Sequence, residues 1–230
     1  MLPLTKALMS SVGKKFIMGI TGLAFVIFLI EHLSANLLLF GQNAEPYNEY
    51  THFLLGFGSL LIVAEVILIV FFLFHIYNGI TIALGKKQAR PENYVKTGKA
   101  GGASKKTFSS MTMIWTGLLT LVFVIIHLKT FKFGHFETVT IDGDEVPNFY
   151  KMVYQVFQNP VYVAWYVGAL AFLGFHLRHG FWSAFQSLGI EHPRYSPIIY
   201  SVGILAAIVI AAGFIGIPVY IYFSHILTGA

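Results

Sequence analysis

The chain has 230 residues, of which 56% are hydrophobic and 11% charged, with a net charge of +5 and no cysteine. So much apolar side chain with so little charge excludes an ordinary water-soluble domain. The absence of cysteine excludes structural disulfides, thiolate-held iron–sulfur clusters and the C-x-x-C-H attachment of a c-type haem, so any redox metal must be held by other side chains.

The N-terminal stretch MLPLTKALMSSVGKKF carries lysines but no short apolar core ending in a small-residue cleavage site, and is expected to lead into a retained first helix. Five membrane-crossing helices are predicted at 16–40, 53–84, 110–131, 161–187 and 198–226, each able to supply the ~20 apolar residues a crossing needs. The expected fold class is therefore an all-α integral membrane protein, a single transmembrane domain over 1–230. Between helices two and three the Gly- and Lys-rich segment GKKQARPENYVKTGKAGGASKK is expected to be irregular. Between helices three and four, Asp142-Gly143 amid alternating residues predicts a small hairpin, and VPNFYKMVYQVFQNP has the apolar spacing of a short surface helix.

The placement of the positive charge points to a bilayer and not to nucleic acid. Lys6, Lys14 and Lys15 precede helix one. Lys86, Lys87, Arg90, Lys96, Lys99, Lys105 and Lys106 lie between helices two and three, and Arg178 and Arg194 flank the loop after helix four. Twelve of the fifteen basic residues thus fall on one side, which the positive-inside rule makes cytoplasmic, with the N-terminus inside and the C-terminus outside.

Helices one and two resemble helices three and four, as a duplicated helical hairpin would. Helix one contains TGLAFVIFLIEHL and helix three TGLLTLVFVIIHL, so Thr-Gly-Leu starts eleven residues before a histidine in both, while helix two offers HIYNG and helix four HLRHG. At ~1.5 Å per residue, His32 and His127 lie about 24 and 26 Å from the cytoplasmic end, and His75 and His176 about 14 and 17 Å. The four histidines sort into an outer pair, His32 with His127, and an inner pair, His75 with His176. Two facing neutral imidazoles are what a six-coordinate b-type haem requires, because the porphyrin supplies the other four nitrogens. Two pairs predict two haems, one above the other, suited to electron transfer. Zinc prefers several ligands converging on one point, which pairs at different depths do not offer.

His179 is a rival to His176 on nearly the same helix face, but the repeat aligns His176 with His75 and His179 with Asn78, so the iron is assigned to His176. For His179 the readings are a bond to a haem propionate or quinone oxygen, or a helix-end residue reaching the interface. His52, His135, His192 and His225 fall at predicted ends or in loops and are expected to be solvated. Glu31 and Glu65 are read as buried carboxylates, serving either proton handling near a quinone or bonds to a neighbouring helix. The glycines Gly19, Gly22, Gly79, Gly117, Gly168, Gly174 and Gly180 permit close helix or macrocycle packing.

The run GFHLRHGFWSAFQSLGIEHPRYSPII, with EHLSANLLLF in helix one, HIYNG in helix two and VIIHL in helix three, resembles the cytochrome b subunit of bacterial succinate dehydrogenases and fumarate reductases, in particular the single-chain, five-helix, two-haem b558-type anchor. The resemblance covers nearly the whole chain. It implies a location in the bacterial cytoplasmic membrane as part of respiratory complex II. It also implies two haem b groups on His32 with His127 and on His75 with His176, and menaquinone as the favoured quinone. The implied partners are a flavoprotein subunit carrying FAD and an iron–sulfur subunit, docked on the basic inner loops and GIEHPRYSP. The inner haem would accept electrons from the iron–sulfur subunit and the outer would pass them toward quinone, with the dicarboxylate site on a partner. One departure is that the residues before His176 are AFLGF, without the glutamate that some fumarate reductases of this class carry there. A b-type cytochrome of a hydrogenase or formate dehydrogenase is the alternative, disfavoured by the repeat and the helix-four motif. A haem-free transporter relaying protons through His and Glu lacks the paired broken helices such proteins use, although Pro218 interrupts helix five.

Overall fold

A computed structural model describes residues 3–41, 43–89 and 107–228. Of the basic inner loop, Arg90, Lys96, Lys99, Lys105 and Lys106 lie outside the described residues, as does the side chain of His225. The described residues form helices apart from one hairpin and the turns between elements. A short α1 (Leu4–Met9) turns at Ser10 into α2 (Ser11–Asn36), which tightens into a 3₁₀ turn at Leu37–Phe40. There follow α3 (Glu45–Leu55), α4 (Ser59–Gln88), α5 (Phe108–Met111) and α6 (Met113–His127), the last running into a π-helical turn at Leu128–Lys132. The hairpin β1 (Thr138–Ile141) and β2 (Asp144–Pro147) precedes α7 (Phe149–Phe157), α8 (Pro160–Ser187) and α9 (Ser196–Thr228).

Five of these helices are long and apolar enough to cross a membrane, over Ser11–Phe40, Ser59–Lys86, Met113–Lys132, Pro160–Ser187 and Ser196–Ser224. The second begins later than the sequence suggests. The chain breaks at Gly56 to Gly58, where Gly58 takes φ +53°, so the residues before it form the separate α3. The third has a hitch at Thr112: Thr107 and Ser110 close a capping box on α5, and α6 starts anew at Met113. Pro218 lies within α9, which continues through it.

The turn at Asp142-Gly143 has φ of 52° and 91°, the two left-handed positions that a two-residue hairpin demands. Helix α3, the hairpin and α7 together cap one end of the bundle. Asn48, 3% exposed, ties the cap together: its Nδ2 donates to Asn148 Oδ1 at 3.0 Å and its Oδ1 accepts from the Tyr150 amide at 3.1 Å. Tyr154 donates to the Leu39 carbonyl at 3.0 Å, anchoring α7 on the end of α2. His52 is not simply solvated, as expected. It packs over this hairpin, with Nε2 3.5 Å from Asp144 Oδ2.

In lipid the hydrophobic effect does not press helices together, so close packing must. Small residues supply it where α9 crosses α8 and α2. A Cβ on Gly174 would come 2.9 Å from the Cβ of Ala211, and one on Gly213 would come 2.8 Å from Leu33 Cδ2. The helix-to-helix contacts run α2 on α4 and α6 on α8 within each hairpin, and α2 on α8 and α4 on α6 between them.

Candidate histidine-pair site

The structure brings together the four histidines singled out by the repeat. His32 on α2 meets His127 at the end of α6 with ring centres 5.9 Å apart, and His75 on α4 meets His176 on α8 at 6.3 Å. Each pair takes one member from each hairpin. All four rings are only partly covered by protein.

The hydrogen bonds at these rings follow the repeat. Thr21 Oγ1 donates to the Ile17 carbonyl at 2.8 Å and lies 3.0 Å from His75 Nδ1. Thr116 Oγ1 donates to the Met113 carbonyl at 3.1 Å and lies 3.3 Å from His176 Nδ1. With its own proton committed to a carbonyl, each hydroxyl is left to accept, so Nδ1 of the imidazole carries the ring proton and Nε2 keeps a free lone pair. Both threonines are 3% exposed.

The adjoining glycines complete the match. A Cβ on Gly22 would come 3.5 Å from His75 Cε1, and one on Gly117 would come 3.2 Å from His176 Cε1. One turn away, Gly79 faces Met18 Cε at 3.7 Å and Gly180 faces Met113 Cε at 3.6 Å. The pattern Met-x-x-Thr-Gly on the first helix of each hairpin therefore packs against His-x-x-x-Gly on the second.

The outer pair has a repeated feature of its own. Phe28 stacks on His32 with ring centres 5.3 Å apart and planes at 17°, and Phe123 stacks on His127 at 5.7 Å and 28°. Each phenylalanine lies one helical turn before its histidine. Beyond that the hairpins diverge. Tyr166, 4% exposed, places its hydroxyl 3.3 Å from His127 Nδ1. The position in α4 equivalent to Tyr166 is Glu65, ten residues before His75 as Tyr166 is ten before His176. Glu65 instead forms an ion pair with Lys132, which the π-helical turn carries round to it. Among the described residues His32 is the member of the four with ring contacts but no side-chain hydrogen bond.

Neither acid read from the sequence as buried lies in the protein interior. Glu65 is about one-third exposed, and Glu31, one residue before His32, points away from the bundle face and accepts from the Tyr50 hydroxyl at 3.0 Å. Burial and that bond to Glu31 push the Tyr50 phenol up. His179 is half-buried one turn past His176 and outside both pairs. Its repeat counterpart, Asn78, is 2% exposed, and its Nδ2 lacks a hydrogen-bond partner among the described residues. His135 is exposed and borders a recess of about 290 Å³ with Thr130, Gln155 and Tyr162 that includes none of the four paired histidines. His192 is exposed, and its Nδ1 accepts from the Arg194 amide at 3.2 Å in the turn before α9.

Among the described residues no three of His, Cys, Asp or Glu converge on one point. A group bound by these histidines would therefore take two protein ligands at a time. An imidazole nitrogen sits about 2.0 Å from a metal it ligates and about 1.1 Å from its own ring centre, so imidazoles on opposite sides of one metal have centres about 6 Å apart. Both observed separations agree with that figure.

Compared with protein families, with characterised proteins and with solved structures, the chain has no match in any of the three. A functional reading therefore rests on the motifs and on this geometry. Sequence reasoning found the histidines, but it missed Thr21, Thr116 and Tyr166 as their partners. The signal for the threonines was present, since Thr-Gly-Leu marks the repeat. What it lacked was the packing that sets each threonine against the next helix's histidine and not against the one in its own helix.

Proposed function

We propose that the chain is a two-haem b-type cytochrome, the membrane-anchor subunit of a bacterial succinate:quinone oxidoreductase (succinate dehydrogenase or fumarate reductase). In this reading it links an iron–sulfur subunit on the cytoplasmic side to membrane quinone, menaquinone being favoured by the motif resemblance. The flavoprotein partner carries FAD and the dicarboxylate chemistry. The observation that carries the reading is the pair of adjacent imidazoles, formed twice, with ring centres 5.9 and 6.3 Å apart.

His32 with His127 would hold the outer haem and His75 with His176 the inner. Held by two imidazoles, each such group would supply one-electron transfer. The protein's own part is positional. Thr21, Thr116 and Tyr166 orient three of the four rings, and Phe28 and Phe123 shelter the outer two from water. The glycines leave room beside the inner rings, and the unpartnered Asn78 amide offers a donor to a polar edge at that level. His179 stands near enough in sequence to serve a propionate or a quinone oxygen.

The test is a pyridine haemochrome assay and dithionite-reduced spectrum on the purified chain, repeated for His32→Ala and His176→Ala. Two haem b per chain, with each substitution removing a different one, is the expected result. A colourless chain from cells that make its co-purified partners would refute it. Recovery of a flavoprotein and an iron–sulfur protein with the chain separates this anchor from the cytochrome of a hydrogenase or formate dehydrogenase.

A further inference from the structure

We propose that Thr21 and Thr116 are positioning residues for the inner pair alone, each fixing the tautomer and the donor strength of the histidine on the helix that follows it. The inference rests on the two-haem reading for its redox consequence, but its structural half does not depend on that reading.

The two halves of the chain make the same arrangement independently. In each, a buried threonine on the first helix of a hairpin spends its proton on a carbonyl of its own helix and offers a lone pair to Nδ1 on the second helix. In each, the next residue is glycine, and the imidazole lies against it. A glycine there lets the ring come close enough to reach the hydroxyl one position before. The Thr-Gly unit is therefore one device, with the glycine giving access and the threonine giving the bond. Valine would fill nearly the same volume without the acceptor.

Two effects follow. The Nδ1–H tautomer is held, which presents an unprotonated Nε2 as the ligating atom. The hydrogen bond also makes the imidazole a stronger donor, which favours the oxidised form of a metal it binds. The outer pair draws nothing from these threonines, although each lies in the same helix as an outer histidine. Because His75 and His176 receive equal treatment, the two contributions should add within the inner site.

The experiment compares Thr21→Val, Thr116→Val and the double variant with Thr21→Ser and Thr116→Ser in the assembled complex, by potentiometric titration of the haem absorbance. Each valine variant should raise one midpoint, the one whose signal His176→Ala removes, and leave the other in place. The double variant should move it further, and serine should restore it. A tenfold change in a one-electron reduction equilibrium corresponds to 59 mV, which sets the scale for the titration. Unchanged midpoints, or equal movement of both, would overturn the inference while leaving the two-haem reading intact.

A chain without haem would overturn that reading instead. The tautomer claim is then still decided by ¹⁵N-histidine spectra of the haem-free chain. Protonated Nδ1 at His75 and His176, lost in the valine variants and kept in the serine ones, is the expected result. Spectra indifferent to the substitutions would refute it.

Discussion

Two glycines on α8, six residues apart, should respond in opposite directions to the same substitution. At Gly174 an added methyl would sit 2.9 Å from the Cβ of Ala211, where carbon atoms in ordinary contact stay about 3.5–4.0 Å apart. Neither partner is a flexible side chain, so α8 and α9 must move apart by roughly 0.6–1 Å, an overpacking that costs about 1–3 kcal/mol. Alanine recovers about 0.5–1 kcal/mol of the backbone entropy that glycine loses in a helix, leaving Gly174→Ala destabilised by about 1 kcal/mol and by at most about 2.5 kcal/mol. At Gly168 nothing lies within 4 Å of the added methyl, so Gly168→Ala keeps the gain alone and should be about 0.5–1 kcal/mol more stable. Reversible unfolding in mixed detergent and SDS micelles, followed by circular dichroism, measures both. The reasoning fails if Gly174→Ala equals or exceeds the parent in stability, or if Gly168→Ala falls below it.

Further predictions concern the histidines and the cap. Gly22→Ala places its methyl at ordinary contact from His75, whereas Gly117→Ala crowds His176 at 3.2 Å, so, if the chain holds haem as proposed, only the second should disturb the reduced spectrum. Equal disturbance in both variants would count against the packing described. Tyr166→Phe keeps the ring that packs on Phe123 and Phe157 but removes the hydroxyl beside His127 Nδ1. It should cost about 0.6 kcal/mol, a typical polar contact between membrane helices, and, if the chain holds two haems as proposed, shift only the outer midpoint in a redox titration. In the cap, the hydrogen bond and charge of Lys151 hold the Glu137 carboxyl below its ordinary value of 4.5. Because that value is depressed in the folded chain, the interaction stabilises above the unfolded value and is lost as pH falls through the folded one. Carbon-13 NMR should show the Glu137 midpoint rising toward the ordinary value in Lys151→Met.

Much of this architecture is legible in the residues because a bilayer imposes long apolar runs, and the runs fix the number of helices. Hydropathy cannot mark a boundary where the polypeptide stays apolar through a bend, which is why α3 merges with the second crossing until the backbone at Gly58 is seen. The histidine pairing is legible because depth follows from residue count along alternating helices. Which side of a helix faces a partner is less so, and Glu31 illustrates it: adjacent to His32 in sequence, it lies some 100° round the helix and meets Tyr50, not the bundle. The bond from Tyr166 to His127 links positions 39 residues apart on neighbouring helices, and no local pattern announces it. The Asn48 link to the start of α7 spans 100 residues and was equally invisible.

Because each hairpin gives one histidine to each pair, neither hairpin alone can offer a complete set of ligands at either level. During synthesis His32 can meet its partner once α6 has entered, whereas His75 must wait until α8 has entered and docked. Anything that needs two imidazoles would then be captured in two steps, the outer level before the inner. A chain interrupted before its fourth crossing would thus carry both members of the outer pair, but His75 without its partner.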